Sequence, residues 1–132
     1  MEKKKYTVKL LGLTAGQVNK NGRIYTREVL DKAIAEYNAN PNRRFGYFGS
    51  RDDFYQPLGE ISHETSNLRI DENGDVLADI VPLGTPNGKI LETVLESAFE
   101  AARFTIIGAA DLEINEPVSK VTNLDIFSIN AI

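Results

Sequence analysis

The chain holds one histidine and no cysteine, which narrows its possible covalent chemistry before any fold is considered. A thiolate nucleophile, a zinc–thiolate centre and a disulfide framework are all excluded. A hydroxyl nucleophile needs an adjacent base to take its proton. Any Ser-His-Asp or His-Ser-His arrangement must therefore use His63, backed by a partner such as Asp111 or Asp125. The plainer alternative for His63 is a histidine at a strand edge, partly exposed or hydrogen-bonded in place. Asp52 and Asp53 are adjacent carboxylates of the kind a hard cation takes. No further acidic ligands stand at loop spacing, so the pair reads as a solvated loop, and no metal or other cofactor is expected. Phe54 and Tyr55 follow in the polar stretch 51–57, either as interface anchors or as a cover over the mouth of a barrel. Thr85-Pro86-Asn87-Gly88-Lys89 lacks the first glycine and the hydroxyl residue after lysine that a phosphate loop requires, and Gly12–Gly16 forms no dinucleotide fingerprint.

The elements that must position these residues belong to an ordinary globular chain. Its 132 residues suffice for one domain with one core, and its 42% hydrophobic and 26% charged content are unexceptional. A net charge of -4 argues against nucleic-acid binding. No apolar run reaches the roughly 20 residues that span a bilayer, and the start lacks a signal peptide's apolar stretch. A soluble protein made in the cytoplasm is expected, with residues 1–5, including Lys3, Lys4 and Lys5, as a flexible basic tail.

Periodicity places a first strand over Lys5–Leu13, then a loop turning at Asn21-Gly22, where both residues tolerate positive φ. Thr26 caps a helix whose apolar face is Val29, Leu30, Ala33, Ile34 and Tyr37. Pro41 limits that helix at its far end. Strands are expected over Arg44–Gly49 and Leu58–Glu64, and a hairpin over Leu68–Ile70 and Val76–Val81 around Glu72-Asn73-Gly74. Thr85 caps a second helix with Pro86 at its first position. Its apolar face is Ile90, Leu91, Val94, Leu95, Ala98, Phe99 and Ala102. Two strands close the chain, Phe104–Ile114 and Val118–Ile132, the second too apolar for an edge and so expected to be central. The fold class is α+β: a mostly antiparallel sheet or barrel of six or seven strands with two packed helices.

Four segments, taken in order, resemble the prohead (head maturation) serine proteases of tailed phages, whose fold is related to the herpesvirus assembly protease. They are Asn21-Gly22-Arg23-Ile24-Tyr25 leading into the first helix, Ser62-His63, Gly84–Leu91 at the entry of the second helix, and the apolar final strand Leu124–Asn130. Together they span roughly residues 5 to 130. In that family a G-E-L-x-H motif presents the catalytic histidine, and a V-S-H element carries a second histidine about a dozen residues later. Taking His63 as the second histidine sets Gly46–Ser50 over the first motif and places Ser50 where the base belongs. In a competing register Gly59–His63 also spells G-E-x-x-H and makes His63 the base. That register leaves no room for the usual loop before the next strand. The family's G-V-S-S-R-G segment falls on Arg103–Gly108, so Thr105 stands at the serine position and Ile107 at the arginine that helps build the oxyanion site.

The resemblance, with Ser50 and Thr105 substituted, implies a catalytically inactive prohead-protease-like structural protein of a phage virion. The expected role is a minor or decoration-type head component, present in multiple copies and binding the major capsid protein or other virion proteins. A chain ending at Ile132, without the C-terminal extension such proteases often remove, points the same way. The alternative is an active maturation protease that cleaves scaffold and capsid proteins through His63, Thr105 and Asp125. A third reading is a regulator that binds the true protease.

Overall fold

The computed structural model describes residues 4–48, 60–115 and 118–132. Ser50, Asp52, Asp53, Phe54 and Tyr55 lie outside the described residues. In chain order the elements are β1 (Tyr6–Lys9), β2 (Arg23–Tyr25), α1 (Arg27–Asn38), β3 (Phe45–Gly46), β4 (His63–Ile70), β5 (Val76–Pro82), α2 (Pro86–Ser97), β6 (Phe104–Asn115) and β7 (Val118–Ala131). They form two sheets, ordered β1-β5-β4-β3 and β2-β7-β6. Single bridges, Leu10 to Phe104 and Phe48 to Ala131, join the sheet edges. One bridge at each seam leaves two sheets rather than a closed barrel among the described residues. Among the described residues the named strands pair antiparallel except β2 with β7, and the two seam bridges are parallel. As its composition requires, β7 is the central strand of its sheet.

Both helices start where their caps predict. The Thr26 hydroxyl accepts the Val29 N–H at 3.3 Å, and Leu30, Ala33, Ile34 and Tyr37 are buried from α1. The Thr85 hydroxyl accepts the Gly88 N–H at 3.1 Å while donating to the Ile61 carbonyl, so the cap also ties α2 to the segment before β4. The far end of α2 departs from expectation. The helix stops at Ser97 because Ala98 leaves helical dihedrals, and a 3-10 turn follows over Phe99–Ala101. Ile90 and Phe99, expected on the buried face, are exposed.

The strands differ most in their bounds. The separate strands expected over Leu58–Glu64 and Leu68–Ile70 are replaced by one strand, β4, beginning at His63. A register shift between Ser66 and Arg69, with Asn67 at φ 53, lets it run on. The Asn38 carboxamide serves the bulge, accepting the Leu68 N–H at 3.1 Å and donating to the Leu68 carbonyl at 2.9 Å. β3 covers only Phe45–Gly46 of the expected Arg44–Gly49, and β1 covers Tyr6–Lys9 of Lys5–Leu13. β2 has no counterpart in the sequence reading, since three residues carry too little periodicity to stand out. The core is continuous across both sheets, from Val8, Leu10 and Ile80 to Phe104, Ile126 and Ile129.

Candidate functional site

His63 opens β4 opposite Gly46 of β3, with its ring turned into the interior and 0% exposed. Its Nε2 lies 2.7 Å from the Ile129 carbonyl oxygen on β7, and its Nδ1 lies 2.6 Å from the Ser62 hydroxyl. A carbonyl can only accept, so Nε2 carries the proton, and Nδ1 of the neutral ring accepts from the Ser62 hydroxyl. The ring thereby joins the two sheets, reaching from β4 to β7, and its edge meets Phe104 of β6 at a centroid distance of 5.6 Å. Burial is the main cause that pushes its pKa down to about 4; the hydrogen bond to Ile129 pulls weakly the other way. Gly46 is required by this packing: a Cβ there would collide with the His63 ring and the Ile129 carbonyl.

Thr105 stands elsewhere. β6 and β7 pair regularly at this end, with Phe104 opposite Ala131, Thr105 opposite Asn130, Ile106 opposite Ile129 and Ile107 opposite Ser128. Side chains alternate along a strand, so Thr105, Ile107, Ser128 and Asn130 share the face turned away from Phe104 and His63. Beside Thr105 on that face is a carboxamide, not a base. The Asn130 Oδ1 accepts from the Ser128 hydroxyl at 3.0 Å and from the Tyr47 N–H at 3.3 Å.

The two aspartates considered as partners of His63 do not approach it. Asp125 is bound to Arg43 at 2.5 Å, and the same guanidinium donates to the Ile126 carbonyl at 2.9 Å. Asp111 is exposed further along β6, opposite Asn123. His63, Thr105 and Asp125 are therefore not brought together into a triad: both ring nitrogens are already engaged, and the threonine side chain lies on the face of β6 turned away from the histidine. Nor is His63 at an exposed strand edge; it is hydrogen-bonded in place within the core. No group of three or more metal-ligating side chains occurs among the described residues.

Thr105 does border a groove of about 750 Å³ between the Leu11–Asn21 loop and the outer edge of β6. Arg23, Arg103 and Lys20 line it, none of which was expected as a binding residue. They lie in two stretches far apart in the chain, Lys20–Arg23 and Arg103, and only the fold gathers them. The Ser62–His63 pair was legible as a motif element, but its partners Gly46 and Ile129 were not.

An α+β fold with these two sheets and two helices is a phage prohead-protease-like fold. The chain is similar in structure to the capsid assembly protease of bacteriophage T4, gp21, with a TM-score of 0.73 over 95% of this chain and 80% of that one, at 17% sequence identity. No family model and no curated protein sequence matches the chain.

Proposed function

We propose that this chain is a non-cleaving, prohead-protease-like component of a phage head, one that acts by binding head proteins rather than by cutting them. The observation that carries the reading is the arrangement of the one histidine. His63 spends one ring nitrogen on the Ile129 carbonyl across the sheets and the other on the neighbouring Ser62 hydroxyl, and the residue at the family's nucleophile position, Thr105, faces Asn130 and Ser128 instead. A threonine hydroxyl without an adjacent base keeps its proton. Ile106 and Ile107 add no side-chain donor where an oxyanion would need one. The likeness in fold to a capsid assembly protease supports the setting, a phage head and its capsid proteins.

Incubation of the purified protein with the scaffold and capsid proteins of its phage tests the reading. Both should remain intact over times in which a maturation protease would process them. Specific cleavage that disappears in Thr105→Ala would establish the active-protease alternative. Mass spectrometry of purified virions should find the chain in multiple copies.

A further inference from the structure

The groove beside Thr105 is built like a receptor for an extended strand. β6 is the terminal strand of its sheet, and its outer edge meets the β1 side of the fold only at its first residue. There the Leu11 N–H donates to the Phe104 carbonyl at 2.9 Å. Gly12, at φ 73, then turns the chain away, and from Thr105 onward this edge pairs with no strand among the described residues. An unpaired edge presents a row of N–H and C=O groups that a further strand satisfies. Along the groove β6 carries Gly108, Ala109 and Ala110, side chains too small to shield the backbone.

Charge selects the occupant. The protein as a whole is acidic, with 19 carboxylate residues against 15 lysines and arginines. Yet the described lining of the groove contains Lys20, Arg23 and Arg103 and no carboxylate. None of these cations forms an ion pair among the described residues, whereas Lys9, Arg43, Arg44 and Arg69 all do. Three unpaired cations around an open strand edge favour an anionic strand and disfavour a cationic one.

We infer that this groove docks an extended acidic segment of a partner protein, added as a strand to the edge of β6 from Thr105 to Ala110, with its carboxylates on Arg103, Arg23 and Lys20. This rests on the reading of the chain as a non-cleaving binder. Main-chain hydrogen bonds hold the segment, and the cations choose it.

Fluorescence anisotropy with a labelled, alternating valine–glutamate octapeptide tests the inference, with the valine–lysine counterpart as control. The acidic peptide should bind saturably and more weakly at high salt, and the basic one should not bind. Charge reversal in Arg103→Glu together with Arg23→Glu should weaken binding by at least about tenfold. N-methylating alternate peptide amides leaves the protein untouched, so folding cannot confound it, and should abolish binding in one of the two registers. Equal binding of both peptides, no binding of either, or undiminished binding of both N-methylated peptides would overturn the inference. So would sedimentation as a dimer that excludes the acidic peptide. Mass analysis of the bound peptide separates the two claims. A cut peptide refutes the non-cleaving reading while leaving the docking site standing; an uncut peptide that does not bind refutes the docking site alone.

Discussion

The His63 seam lies within the inner face of the β6–β7 ladder and the Thr105 groove along its outer edge, and they have opposite character. On the inner face a titratable ring is fully desolvated, satisfied at both nitrogens and pressed against a glycine that cannot be replaced without collision. On the outer edge a polar hydroxyl borders an open groove with three cations that form no ion pair, and a strand edge that pairs with no further strand, among the described residues. The residue types with catalytic potential are thus divided, one committed to stability and the other to a surface. A serine-type protease needs them on the same face within hydrogen-bond reach. The difference teaches that a histidine's chemistry is decided by which face of its strand it occupies, and a motif string does not state that.

Several substitutions can break this contrast. The largest effect is expected for His63→Ala. It removes a buried ring and the hydrogen bond to the Ile129 carbonyl, while the Ser62 hydroxyl keeps the Gly46 carbonyl at 3.2 Å, at a cost of about 4 kcal/mol in urea denaturation. Gly46→Ala should cost about 3 kcal/mol, because the ring and the Ile129 carbonyl that a methyl would meet are both fixed by their mutual hydrogen bond. On the groove side Thr105→Val should change stability by less than about 1 kcal/mol, and Arg103→Glu by less than about 0.5 kcal/mol, since neither supports the core. Comparable losses at Thr105 and His63 would erase the distinction between the two regions.

Of the two regions, acid should act on the seam. The His63 pKa is lowered from 6.5 to about 4 in the folded protein. Between those values the unfolded chain binds a proton that the folded chain refuses, so stability from this group is complete above pH 6.5 and is lost as pH falls toward 4. The full difference amounts to about 3 kcal/mol. Comparing the pH dependence of unfolding in the wild type with that in His63→Gln isolates it from the carboxylates: the slope between these pH values should be present in the first and missing in the second.

Much of the framework was readable in advance. Thr26 and Thr85 marked both helix starts because a cap and its amphipathic face are local, and the apolar side chains of Leu124, Ile126, Phe127 and Ile129 marked β7 as central. What escaped depends on tertiary pairing. β2 exists only because Arg23–Tyr25 lies beside Ser119–Val121. β4 could not be read as one strand because its polar middle, Ser66-Asn67, is completed by the Asn38 side chain from α1. The candidate site was harder still. Ser62-His63 is visible as a dipeptide, but its partners come from β3 and β7, and the groove cations come from two distant stretches, Lys20–Arg23 and Arg103.

Because His63 is the chain's one histidine, its imidazole can be followed alone in the spectrum of the intact protein. Long-range proton–nitrogen NMR reports both ring nitrogens and tests the central claim directly. A single neutral tautomer protonated on Nε2, unchanged from about pH 8 to about pH 5 and unaffected by Thr105→Ala, is the predicted result. A titration midpoint near 6.5, or a ring whose nitrogen shifts respond to removal of the Thr105 hydroxyl, would contradict the account.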